Sequence, residues 1–597
     1  MTGTVRVKDI RAGSASSDLR YLTPVDATLY FRANDGTSGN ELWKSDGTQN
    51  GTLRVKDIRM GGSPSAPGNL TNVNGTLYFS ANDGSSGREL WKTDGTEAGT
   101  VRVKDISNGP SPSFPGYLTN FGGILCFTAV DSSGSSRLWK SDGTEAGTVL
   151  VKDIQVSRQY SGQGSFTNTG GTLYFRASEG SAGSELWRSD GTTEKTVLVK
   201  DIRPGGGSSA PSLFTDVSGT LFFRANDGST GYELWKSDGT ADGTVRVKDI
   251  RTGSQTSWPG NLTNVGGTLY FSAFGESDGS ELWKSDGTEA GTVRVKDIVP
   301  GNGPSILYDL TNVSGTLYFT ANDGSHGEEL WKSDGTEAGT VPIQDIWAGF
   351  ASSAPRELTN VSGTLYFQAN DGSTGTELWK SDGTEAGTVR LEDLTGDASG
   401  SDPRAFTLVG DRLFVVATHE ALGEEIWTGA LGSLQGDFDR NSLLDAIDLD
   451  ALVAAIASGG HLPRFDLTND TLVNEQDLSR WLQLGGAANL SSGQPYRPGD
   501  ANLDGVVDGV DFGIWDQHKF TAVAAWSRGD FNANGAVDGS DFGIWNGHKF
   551  TVADGRSGHH PTKVNPALRP GSSPTQGVCL AVLAEALLSH RTLATAA

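Results

Sequence analysis

Residues 69–106 read NLTNVNGTLYFSANDGSSGRELWKTDGTEAGTVRVKDI. The segment resolves into four short strand candidates, Asn69-Val73, Thr76-Ala81, Glu89-Thr93 and Val101-Ile106. Between them stand Asn74-Gly75, then residues 82–87 (NDGSSG), then residues 94–99 (DGTEAG). These are hairpin turns, because glycine and Asn/Asp supply positive φ and local side-chain caps. In Leu77-Tyr78-Phe79 and Leu90-Trp91 adjacent large apolar residues point to opposite faces, so both faces of the sheet must be buried. In Val5-Arg6-Val7-Lys8 apolar and basic residues alternate, the pattern of a half-exposed strand whose lysine blocks further edge pairing.

The unit recurs with a fixed period. Its tryptophan returns at Trp43, Trp91, Trp139, Trp187, Trp235, Trp283, Trp331, Trp379 and Trp427, always 48 residues apart. A period of about 40 to 50 residues marks a propeller or a solenoid. Four hairpin-linked strands and one long Gly/Ser/Pro link per unit favour blades; the coils of a β-helix, the alternative, lack such hairpins. The last unit has strands at Arg412-Ala417 and Glu425-Thr428 but no outer strand, and the chain opens with one at residues 4–10. The expectation is a mainly β, closed nine-bladed propeller over residues 1–432, sealed by that N-terminal strand.

Bulk properties narrow the function classes. The 597 residues carry a formal charge of -25, which argues against nucleic acid and anionic membranes as partners. Cys126 stands where other repeats have tyrosine and reads as a core substitution, and no Cys/His zinc spacing exists. The apolar run Val578 to Leu588 is too short for a membrane span. No signal peptide precedes Met1-Thr2-Gly3, which is already in repeat register; a removed or missed leader is the expectation, with a secreted or cell-surface, monomeric protein.

After about residue 433 the pattern changes. Four twelve-residue segments place oxygen-bearing side chains at positions 1, 3, 5, 9 and 12, with a main-chain carbonyl at 7, as a calcium loop requires. The third has Asp500, Asn502, Asp504, Val506 (carbonyl), Asp508 and Asp511; the fourth has Asp530, Asn532, Asn534, Ala536 (carbonyl), Asp538 and Asp541. Both have glycine at position 6, Gly505 and Gly535. The first, Asp437, Asp439, Asn441, Asp445 and Asp448, has Ser442 there. The second, Asp466, Thr468, Asp470, Asn474 and Asp477, has Thr471, so weaker binding is expected of these two. Each loop leads into an apolar-periodic helix. Ca²⁺ is the expected cofactor, and such loops commonly work at about 10⁻⁴ to 10⁻³ M calcium, which suits an exported protein.

Two resemblances follow from these residues. Glu89-Leu90-Trp91-Lys92-Thr93-Asp94-Gly95-Thr96 and its copies resemble the bacterial ELWxxDGT repeat family, which implies export and no defined catalytic activity. Departures are Arg137 for the Glu, Ile426 for the Leu and Ala430 for the Asp. The loop-then-helix pairs at 434–486 and 497–552 resemble type I dockerin modules, which implies calcium-dependent folding and pairing with a cohesin. Positions 10 and 11 (Gly509-Val510, Gly539-Ser540) lack the Ser-Thr pair of well-known dockerins, which puts cohesin pairing in question. Residues 553–597 are expected to be a disordered tail.

Nothing in the repeats stands out as catalytic. Asp35, Asp83, Asp131, Glu179, Asp227, Asp323 and Asp371 share one turn position and read as turn caps rather than a site. Trp258, Trp347 and Phe350 lie in the long links and read as half-buried rim residues, the alternative being exposed rings that stack on sugars. The expectation is a non-enzyme: an exported calcium-binding scaffold whose propeller recognises a protein or glycan and whose dockerin-like modules attach it. The alternative is a non-catalytic component of a polysaccharide-degrading assembly, recruited through a cohesin. A propeller hydrolase would need a unique acidic or histidine cluster.

Overall fold

The computed structural model describes residues 2–157, 166–181, 183–277, 279–301, 303–392, 399–430, 436–438, 444–459, 462, 465–468, 472–490 and 494–552. The expected tail at 553–597 and the loop residues Asp439, Asn441 and Asp470 lie outside them. The chain divides into two compact units, Met1–Leu443 and Leu444–Ala597. Among the described residues, no helix is long and apolar enough to cross a membrane.

The first unit is a nine-bladed β-propeller, each blade a sheet of antiparallel strands in sequence order. In the second blade the strands are Gly68–Val73, Thr76–Asn82, Arg88–Thr93 and Val101–Lys104. The last blade is completed by Thr2–Lys8 beside Gly423–Ala430, with Val5 opposite Thr428 and Arg6 opposite Trp427. The N-terminal strand thus closes the ring, as the strand tally required. The seam is a core of its own: Val7, Ile10, Phe31 and Trp43 pack with Phe414, Val416 and Ile426.

The fourth blade departs from the pattern. Its inner edge is split between Gln155–Val156 and Phe166–Thr169, both paired with Thr172–Ser178. The local cause is the sequence after Ile154, where Gln155-Val156 replaces the usual Arg/Gly link and continues in extended form.

Both faces of the middle strands are buried, as the paired apolar residues demand: Leu29 and Phe31 are fully enclosed and Tyr30 nearly so. Cys126 occupies the tyrosine register in the core between the third and fourth blades, where burial pushes its thiol up to about 11. The outer-strand lysines do more than protect an edge. Lys56 Nζ donates to the Thr100 carbonyl at 2.8 Å and Lys104 Nζ to the Thr148 carbonyl at 2.8 Å, each clasping the next blade. The turn-position carboxylates are caps, as expected: Asp83 Oδ1 accepts from the Ser85 and Ser86 N–H groups at 2.8 Å each.

The glutamate of the Glu-Leu-Trp motif is the repeat's buried polar device. Glu41 is fully enclosed and accepts from Ile58 N (3.1 Å), Ser65 N (2.8 Å) and Ser65 Oγ (2.6 Å). It fixes the link to the next blade by satisfying main-chain groups that would otherwise be orphaned. In the third blade Arg137 takes this place and pairs with Asp131 at 2.8 Å and Asp153 at 3.1 Å.

Burial pushes Glu41, Glu233, Glu281 and Glu425 up to about 7, against an ordinary value of 4.5. A raised folded-state value means that the native state holds more protons than the unfolded chain between pH 4.5 and 7. Stability from these groups is therefore full below about 4.5 and is lost as pH rises to about 7. The turn aspartates act oppositely: hydrogen bonds hold Asp35, Asp83, Asp323 and Asp371 down at about 2 despite the opposing effect of burial, so their contribution is lost only in strong acid. The propeller is expected to melt at a higher temperature at mildly acidic pH than at alkaline pH. Differential scanning calorimetry across pH checks this, and a midpoint that climbs steadily with pH would reject it.

Candidate metal centres

The second unit is built on helices whose first turns are made by the calcium-type loops. The helices are Ala446–Ala457 (α1), Glu475–Asn489 (α2), Gly509–His518 (α3) and Gly539–His548 (α4). Positions 9 and 12 of each loop form a reciprocal capping box: Asp445 with Asp448, Asn474 with Asp477, Asp508 with Asp511, Asp538 with Asp541. These residues would start a helix whether or not a metal bound. Positions 1, 3 and 5 must therefore carry the case for a cation.

In the third loop Asp500 is fully enclosed; Oδ1 accepts from Asp504 N (3.2 Å) and Oδ2 from Gly505 N (2.9 Å). Gly505 has φ +86°, a conformation costly for any residue with a Cβ. Asp511, also fully enclosed, accepts from Ala501 N (2.8 Å), Asn502 N (3.4 Å) and Asp508 N (2.8 Å). The fourth loop repeats the arrangement: Asp530 accepts from Asn534 N (3.1 Å) and Gly535 N (3.0 Å), and Asp541 from Phe531 N (2.9 Å) and Asp538 N (2.8 Å). Asn502, Asp504 and Asn534 stand at the exposed lip of the loops, and Asn532, Asp508 and Asp538 are half-buried.

Two buried carboxylates in one loop repel. Burial and the Asp511 charge push Asp500 up to about 7, and burial and the Asp541 charge push Asp530 up to about 6. Asp511 and Asp541 are also raised, by burial. Among the described residues no lysine, arginine or histidine forms an ion pair with these four. No three His, Cys, Asp or Glu side chains among the described residues gather closely enough to hold a metal by themselves. A complete oxygen set here needs the asparagines and the Val506 and Ala536 carbonyls as well.

Loops three and four face each other as near-symmetric halves. Trp515 Nε1 donates to the Asp538 carbonyl at 3.0 Å and Trp545 Nε1 to the Asp508 carbonyl at 2.9 Å. Phe512 packs on Trp545 (5.0 Å between ring centres) and Trp515 on Phe542 (5.1 Å). Phe550 N donates to the Val507 carbonyl and Phe520 N to the Val537 carbonyl, each at 2.6 Å. The two near-identical Phe-Gly-Ile-Trp segments thus each brace the other's loop.

The first two loops are described in part. Asp437 and Asp448 are buried, and Asp477 is fully enclosed, accepting from Leu467 N (2.8 Å), Thr468 N (3.0 Å) and Asn474 N (2.9 Å). Asp466 is half-buried, and Thr468 Oγ1 turns to Asp477 at 3.1 Å. The pairs were not legible as touching: Ser527, between loops three and four, donates to Asp450 of α1 from N (2.8 Å) and Oγ (2.5 Å).

No protein-family model and no curated protein matches the chain. Among solved structures it is similar to a puromycin hydrolase (16% identity, 59% of this chain and 58% of that one, TM-score 0.31). It is also similar to a puromycin-hydrolyzing peptidase of Mycobacterium tuberculosis (11% identity, 61% and 60%, TM-score 0.30). A third is prolyl oligopeptidase B of Galerina marginata (11% identity, 68% and 55%, TM-score 0.35). The chain spans little more than half the length of these structures. The expectation of a non-enzymatic scaffold, attached through dockerins or serving polysaccharide breakdown, is corrected by these matches, which are hydrolases, and is given up. At TM-scores of 0.30 to 0.35 the likeness assigns no residue of this chain a role.

Proposed function

We propose that the C-terminal unit is a calcium-binding module in which paired loops hold two ions. One ion is held by Asp500, Asn502, Asp504, the Val506 carbonyl, Asp508 and Asp511. The other is held by Asp530, Asn532, Asn534, the Ala536 carbonyl, Asp538 and Asp541. The observation that carries this reading is the pairing of enclosed carboxylates, Asp500 with Asp511 and Asp530 with Asp541, without a basic partner among the described residues. A buried charge is retained only when paired or metal-bound, and all-oxygen donor sets suit a hard cation of calcium's size. The module fits the type I dockerin pattern of residues 497–552, with a second, weaker pair at 434–486 built on Asp437, Asp445, Asp448, Asp466, Thr468, Asn474 and Asp477. The repeats fit the ELWxxDGT pattern. Loops of this kind fill where calcium is abundant, which supports a working site at the cell surface or beyond.

Terbium(III) replaces calcium and luminesces when excited through nearby tryptophan, and Trp515, Trp526 and Trp545 bond the loops' own carbonyls. The full chain is expected to give sensitised terbium emission that calcium displaces, reduced by about half in Asp500→Ala and in Asp530→Ala. Emission that calcium does not displace would reject the assignment.

A further inference from the structure

The blades also differ where their inner strands begin. The register of Phe31 is phenylalanine in eight blades and Val415 in the ninth, whereas the second inner-strand position runs through Tyr21, Asn69, Tyr117, Leu213, Asp309 and Glu357. The backbone is the same at each, left-handed with φ between 53° and 60°. Among residues with a Cβ, asparagine adopts that conformation most easily, and a bulky side chain there is strained. Strain kept in some blades and relieved in others points to side chains chosen for what they face.

Across the first three blades these positions line an open depression of about 410 Å³. Small-molecule pockets commonly hold about 300–1,000 Å³. Tyr21, Phe114 and Tyr117 supply rings, Arg32 and Arg88 supply charge, and no acidic residue lines it. A lining with two guanidinium groups, of which Arg88 has no carboxylate partner among the described residues, runs against the field of a chain at -25. On another arc of the ring, a cavity that shares this inner-strand position is lined by Asp309 and Glu357 and no base.

The two arginines differ in commitment. Arg32 Nη2 donates to Asp18 at 3.0 Å, its guanidinium lies over the Tyr21 ring at 5.5 Å, and its Nε is buried without a partner. Arg88 Nη1 donates to the Ala66 carbonyl (2.7 Å) and to the Ser80 carbonyl and Oγ (3.3 Å each). Among the described residues no carboxylate pairs with Arg88, and its Nη2 and Nε have no protein partner. Burial pulls Arg88 below the ordinary guanidinium value, and the neighbouring Arg32 charge adds to the effect. Tyr21 and Phe114 leave nearly half their surface open, 48% and 47%.

We propose that this cavity binds an aromatic carboxylate, its anion on the free edge of Arg88 beside Arg32 and its ring among Tyr21, Phe114 and Tyr117. A guanidinium edge offers two parallel N–H donors that match a carboxylate's two oxygens, and the surrounding rings favour a flat apolar body over a hydrated one.

The test is fluorine NMR on the full chain with 4-fluorobenzoate, with 4-fluorobenzamide and inorganic phosphate as controls. Line broadening is expected for the carboxylate and not for the amide. The affinity should fall at least tenfold in Arg88→Gln and in Phe114→Ala. Phe114 is half exposed, so its truncation leaves the blade core intact and decides the matter if Arg88→Gln fails to fold. Absence of 4-fluorobenzoate binding at millimolar concentration would overturn the site. So would binding unchanged in Phe114→Ala, or displacement by phosphate at equal concentration, which would mark a pocket for any anion.

Discussion

A chain that starts at residue 11 is expected to lose propeller stability by about 3–6 kcal/mol, the burial contribution of the two core side chains it lacks, at about 1.5–3 kcal/mol each. Those side chains are Val7 and Ile10, both in the seam core between the last and first blades. The same truncation removes the Ile10 N–H that donates to Glu425 at 3.1 Å, leaving an enclosed carboxylate short of a partner. It also bares the edge of Gly423–Ala430, which invites pairing between molecules. Since each blade contacts chiefly its neighbours, a broken seam turns a closed ring into an array with two ends. Thermal melting with small-angle scattering checks this: a lower midpoint and a larger radius are expected. An unchanged midpoint would show that the seam is held by other contacts.

Removing calcium is expected to have a comparable effect, confined to the second unit. An ion that binds only the folded state adds about 2.7 kcal/mol per site when present at roughly a hundredfold its dissociation constant, so two sites add about 5 kcal/mol. The gain comes from quenching the repulsion between Asp500 and Asp511 and between Asp530 and Asp541. The helix caps persist without metal, because Asp508 and Asp538 accept from Val510 N and Ser540 N at 2.7 Å each. Loss of calcium should therefore loosen the loops and the Trp515–Trp545 core more than the helix starts. The propeller, whose turn aspartates are already capped by their own main chain, should not respond.

The ring was legible because its determinants are local. Tryptophans 48 apart, Asn-Gly and Asp-Gly turns, and apolar residues on both strand faces each act within one repeat. The closing strand followed from counting, since a sheet that lacks its edge must find one. Within one repeat Lys56 and Lys104 show only edge protection, because the acceptors of their clasp, the Thr100 and Thr148 carbonyls, sit one blade on. The loop-then-helix segments were legible from spacing alone, and the structure adds that two of the six positions in each pattern, 9 and 12, form a helix cap. The bond between Asp450 and Ser527 joins residues 77 apart and could not be read. The same holds for the cavity between Arg88 and Phe114, which exists only when the ring sets successive blades side by side. Its one trace in the sequence was that the repeats disagree there. The non-enzyme expectation rested on finding no unique acidic or histidine cluster in the repeats, and an absence of that kind does not decide activity.

The most direct test of the calcium assignment is hydrogen exchange of the full chain, followed peptide by peptide with and without EDTA. Faster exchange is expected across residues 499–552 once calcium is removed, restored by its return, with residues 20–430 unchanged. Equal protection of residues 499–552 in both conditions would contradict it.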